Sequence, residues 1–70
     1  MEIKLSKRLK ELRKNEKITQ AQLSRQLGVA QSNISDWEND VARPEYENLV
    51  KLAQIFDVTT DYLLGLSDYM

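Results

Sequence analysis

Apolar residues recur along this chain at helical intervals, and nowhere do they alternate as a half-buried strand would require. Leu5, Leu9 and Leu12 stand three and four residues apart, which predicts a helix near residues 4–15 with one buried face. Leu23 and Leu27 share a face of a second helix near 20–27, and Ile34 and Trp37 share a face of a third near 31–38. Pro44 is a poor continuation of a helix and a good opener. After it, Leu49, Leu52, Ala53 and Phe56 form one apolar face of a fourth helix. A short fifth helix is expected near 60–64, capped by Thr59, with Asp61 in its positive first turn and Gly65 just past its end. Five helices and no strand make the expected fold all-α, a compact five-helix bundle.

The most informative stretch is Gln20 to Asn39, QAQLSRQLGVAQSNISDWEN. Thr19 with Gln22 three residues on can form a capping box, each side chain satisfying an orphan backbone N–H, so the second helix starts near Gln20. Gly28 follows Leu27 where a helix can end in a left-handed conformation that costs other residues a Cβ clash. Ser24 faces that turn and is small enough to let two helices approach. In the third helix Gln31, Ser32, Ser35 and Asp36 fall largely opposite Ile34 and Trp37, giving an anchored side and a polar side. Trp37 is read as core. Two helices crossing at a tight turn hold the second of them up for insertion into a groove.

With its flanks, this segment resembles the helix-turn-helix of the phage repressor and Cro type, the XRE family, with its lambda-repressor-like fold. The likeness runs from about Leu5 to Gly65. It includes LKELRKNEKIT before the motif, WEND and then Arg43-Pro44 after it, and LVKLAQIFDVTTDYLLG at the end. The resemblance implies one HTH cro/C1-type domain over residues 1–70 that binds double-stranded DNA in a sequence-specific way. It further implies a cytoplasmic transcriptional regulator, bacterial or phage-encoded and nucleoid-associated, acting as a repressor without a cofactor.

Composition narrows the alternatives. The 70 residues contain no Cys and no His, so there is no disulfide framework, no Cys/His zinc site, no thiolate nucleophile and no imidazole base. No stretch approaches the roughly 20 apolar residues of a membrane span. A net charge of -1 is unexpected for a ligand of a polyanion. The distribution matters more: residues 1–27 hold eight basic residues against three acidic, and residues 28–70 hold two against eight. Lys4, Lys7, Lys10, Lys14 and Lys17 read most simply as the solvated face of the first helix. Asp36 and Asp40 stand one turn apart, but such a pair without a nucleophile, a phosphate loop or a cleft reads as a solvated face rather than an enzyme site.

Roles follow from what each residue offers a duplex. By resemblance, Gln31, Ser32 and Asn33 present to base edges in the major groove. Gln31 carries donor and acceptor together and can pair bidentately with adenine, a contact worth about 1–3 kcal/mol of discrimination. Ser32 and Ser35 read less selectively, and Asn33 either reads a base or contacts phosphate. Asp36 either accepts from cytosine N4 or repels phosphate. Gln20 and Asn39 stand where related proteins hold phosphates, which fixes register without reading sequence. Arg43 is the third phosphate candidate, with Asp40 and Glu45 as competing partners. Arg13 and Glu38 match positions that form an internal ion pair in the family and are read as structural.

Three departures from the family pattern stand out. Ala30 occupies the place of a capping Ser or Thr, Asp36 puts a carboxylate on the groove side, and Asp40 stands where Gly is frequent. Together they imply modest affinity for one subunit, which a homodimer reading successive half-sites about 34 Å apart would remedy. Tyr62, Leu64, Leu66, Tyr69 and Met70 are the candidate dimer surface, with Leu63 or Leu64 alternatively part of the core. The rival reading is a protein-interaction module, such as an antitoxin or antirepressor-controlled protein, whose acidic C-terminal half meets a regulatory protein partner.

Overall fold

The computed structural model describes residues 2–70. Helix α1 spans Leu5–Asn15, α2 Gln20–Leu27, α3 Gln31–Glu38, α4 Tyr46–Phe56 and α5 Thr60–Leu64, and there is no strand among the described residues. Each helix contributes one wholly buried aliphatic residue to a shared core: Leu9, Leu23, Ile34, Leu52 and Leu63. Burying each of these contributes about 1.5–3 kcal/mol. Around them pack Leu5, Leu12, Leu27, Trp37, Ala53 and Phe56. Helix α3 rests on α2 and α1, α4 leans on α2, and α5 closes the bundle against α1 and α4.

Local chemistry sets the helix ends. At the start of α2 both halves of the capping box form: the Gln22 N–H donates to Thr19 Oγ1 at 3.0 Å, and the Thr19 N–H donates to Gln22 Oε1 at 2.7 Å. Gly28 ends α2 at φ 75°, and the N–H groups of Gly28 and Val29 both donate to the Ser24 carbonyl. Thr59 caps α5 by accepting from the Tyr62 N–H at 3.0 Å. Pro44 lies one residue before the N-cap Glu45, so α4 begins at Tyr46.

The chain closes on itself where α1 begins. Lys4 is the N-cap of α1 and supplies no side-chain cap, but its backbone N–H donates to the Leu64 carbonyl at 3.1 Å. Gly65 adopts φ 93° beside this junction, where a Cβ would lie 2.9 Å from Lys4 Cγ. The position therefore needs Gly for both its backbone conformation and its space.

Candidate nucleic-acid interface

Helix α3 is anchored from below and open above. Ile34 and Trp37 are buried, whereas Gln31, Ser32 and Asn33 in the first turn are exposed. Ser35 and Asp36 are half-buried on the shoulder of the same helix. Ala30 is extended and offers no side-chain cap, and the Asn33 N–H donates to its carbonyl at 3.0 Å. The free surface of the first turn thus consists of three uncharged polar side chains, each able to donate and accept.

The other end of α3 is locked by a buried carboxylate. Glu38, whose side chain is 1% exposed, receives Arg13 Nε at 2.6 Å on Oε2 and Arg13 Nη2 at 3.0 Å on Oε1. Arg13 Nη1 also donates to the Ile18 carbonyl at 2.9 Å, so one guanidinium ties α1 both to the loop before α2 and to α3. Burial alone would push the Glu38 carboxyl up. Hydrogen bonds from Arg13 and Gln20, with the positive charges of Arg13 and Lys10, outweigh that and hold it below the usual carboxylate range. Conversely, the hydrogen bond to Glu38 raises Arg13.

Gln20, at the first position of α2, belongs to this network. Its Nε2 donates to Glu38 Oε1 at 3.1 Å, leaving the second N–H of that amide for an outside acceptor. Asn39 follows Glu38 at the end of α3, exposed, with Nδ2 donating to Ser35 Oγ at 3.3 Å. Asn39 keeps φ -98°, and the left-handed residue is Asp40, at φ 58°. Gln20 and Asn39 therefore both adjoin Glu38, Gln20 through its hydrogen bond and Asn39 as the next residue, which lies roughly 12 Å along α3 from Gln31. Arg43 lies beyond this edge in the loop before α4, exposed, and forms no ion pair with Asp40 or Glu45.

The C-terminal cluster divides. Tyr62 and Leu64 are half-buried: Tyr62 packs on the core, and Leu64 lines a small apolar cleft with Ile3, Leu5, Pro44 and Leu49. Leu66, Tyr69 and Met70 are exposed. Of these five residues, Leu66, Tyr69 and Met70 present the most open apolar surface, while Tyr62 and Leu64 are in part covered by their own chain.

Arg8 was not singled out by sequence reasoning, which counted it only as one more charge. It is buried at the α1–α5 junction, its guanidinium 4.2 Å from the Tyr62 ring centroid. It donates to the Tyr62 carbonyl, to the Ser67 carbonyl at 2.6 Å and to Asp68 Oδ1 at 2.9 Å. The available signal was its place in the series Leu5, Arg8, Leu9, Leu12, where it completes the buried stripe of α1.

Comparison with known proteins agrees with this geometry. The model of a helix-turn-helix domain family matches residues 6–68. The chain is similar to YobD of Bacillus subtilis, an HTH-type transcriptional regulator, at 43% identity over 87% of this chain and 54% of that protein. It is also similar to ImmR of the same organism, at 41% identity over 87% of this chain and 48% of that one. The chain thus spans about half the length of these curated relatives. Among solved structures, the c2 repressor of Salmonella phage P22 in complex with a synthetic operator superposes with a TM-score of 0.85 at 36% identity, covering 90% of this chain and 96% of that one. A capped α2, a glycine turn and an α3 anchored through Glu38, carried on a bundle shared with a phage repressor, make this chain a member of the helix-turn-helix domain family, of the phage-repressor XRE type.

Proposed function

We propose that the chain binds double-stranded DNA in a sequence-specific manner and acts as a transcriptional repressor, placing α3 in the major groove of a pseudopalindromic operator as a homodimer. The observation that carries this reading is the division of α3 into an exposed, uncharged polar first turn and a last turn held rigid by the Arg13–Glu38–Gln20 network. A helix so held can present side chains to base edges in a fixed register. Gln31, Ser32, Asn33, Ser35 and Asp36 are the proposed base readers. Gln20, Asn39 and Arg43 are the proposed phosphate contacts, and Leu66, Tyr69 and Met70 the dimer surface. The P22 c2 repressor, which shares this fold, is solved in complex with a synthetic operator, which supports duplex DNA as the ligand.

Selection of sites from a random duplex library, at low and near-physiological salt, tests the proposal. An enriched palindrome is expected, with a half-site spacing that reports the dimer. Gln31→Ala should relax preference at one base position while the helical spectrum stays unchanged. A folded chain that enriches no sequence would overturn the reading.

A further inference from the structure

The edge of the proposed interface formed by Gln20, Glu38 and Asn39 has the Asp40 carboxylate at one end and, on the neighbouring α1, one lysine that stands apart from the others. Arg13 neutralises Glu38 through a bidentate pair. Lys10 lies on the same flank of α1, about 60° around the helix axis from Arg13, whereas Lys14 and Lys7 lie about 100° and 120° away. It is half-buried, while Lys7 and Lys14 are exposed. Three positions before Arg13 on α1, it stands within one turn of the guanidinium that holds Glu38, and its positive charge adds to what lowers the Glu38 carboxyl. The ion pairs among the described residues are Arg8–Asp68 and Arg13–Glu38, so Lys10 has no carboxylate partner of its own. With its stem half-covered by protein, Lys10 loses less conformational freedom on engaging an anion than a free lysine would.

We infer that Lys10 is a DNA phosphate-binding residue, the point on α1 where the duplex backbone rests beside Gln20, and that the other α1 lysines are the solvated face. This rests on the DNA-binding reading above and adds α1 to the contact surface. It also accounts for how a chain of net charge -1 can hold a polyanion: the required cation sits locally at the edge of α3, whatever the total.

The test is the salt dependence of binding to a short mixed-sequence duplex, measured for the whole chain and for Lys10→Gln, Lys10→Arg and Lys14→Gln, with a thermal melt of each. Lys10→Gln is expected to flatten the plot of log affinity against log salt by about 0.9, equivalent to a 3- to 4-fold smaller loss of affinity across a fourfold rise in salt. Lys10→Arg should keep the parent slope, and Lys14→Gln should leave it unchanged. A Lys10→Gln slope equal to the parent's overturns the inference even if the melting temperature falls, since that pattern belongs to a residue that only supports Glu38. A Lys14→Gln slope flattened as much as Lys10→Gln overturns it as well, because the lysines would then act as a diffuse field. If the parent chain binds no duplex at low salt, the DNA-binding reading falls first and this inference with it, an outcome distinct from the other two.

Discussion

Replacing Arg13 by Met removes the guanidinium while keeping most of the stem, so the loss is electrostatic rather than a cavity. Glu38 would then keep only the Gln20 amide and the nearby charge of Lys10, in a site where its side chain is 1% exposed. Stranding a buried carboxylate in this way costs about 3–5 kcal/mol. Seventy residues at the usual marginal stability give a total of about 3.5–10 kcal/mol, so a third or more of it would disappear. Urea unfolding followed by far-UV circular dichroism at neutral pH measures the loss directly. The informative companion is Arg13→Met with Glu38→Met, which removes both charges and frees Gln20 to meet water. It should recover to within about 1 kcal/mol of the parent, because a buried pair replaced by apolar side chains is often nearly neutral. A single variant costing less than about 1 kcal/mol, or a double variant no more stable than the single, would refute the reasoning that Glu38 depends on Arg13 for its charge.

Other consequences can be measured with the same methods. The Glu38 carboxyl is held below its unfolded value near 4.3, so its contribution is complete above that pH and is lost as pH falls through the folded value. Acid unfolding of the parent should therefore steepen below about pH 4.3, and Glu38→Gln should remove that added steepness. Asp40→Gly should stabilise by about 0.5–1 kcal/mol, since Asp40 holds a left-handed φ of 58°, and should also raise affinity for every duplex alike by removing a carboxylate beside Asn39. Gln20→Ala should weaken binding to every duplex alike while leaving the salt dependence unchanged, because a neutral amide releases no counterion, and should lower stability by about 1.5–3 kcal/mol through the lost hydrogen bond to Glu38; binding and unfolding measured side by side separate the two.

What could be read from the chain and what could not divide along sequence distance. The boundaries of α2 follow from Thr19, Gln22 and Gly28, all within ten residues, and capping and turn chemistry decide them locally. Leu9, Leu23, Ile34 and Leu52 were legible as core because an apolar face has few other uses, whereas the five-residue α5 is too short to show such a face and left Leu63 between core and surface. The start of α4 was read less finely, because Pro44 opens a helix either at its first turn or, as here, one residue before the cap. The bond from Gln20 to Glu38 joins residues 18 apart, and no periodicity encodes it. Tyr62 read as surface, and Leu64 as surface or core, because Arg8, which stacks on Tyr62, and Ile3 and Leu5, which line the cleft with Leu64, come from the opposite end of the chain.

Arg8 also bears on how long the native state lasts. Its three acceptors lie 54, 59 and 60 positions away, so these bonds form only once both ends of the chain have met. The capping box and the glycine turn, by contrast, close over a few residues and can be present early. Interactions absent from the folding transition state act on the unfolding rate and leave the folding rate almost unchanged. In stopped-flow kinetics, Arg8→Gln should therefore raise only the unfolding arm of the chevron. The clamp then works as a brake on opening, lengthening the lifetime of a small domain that has no disulfide to do so.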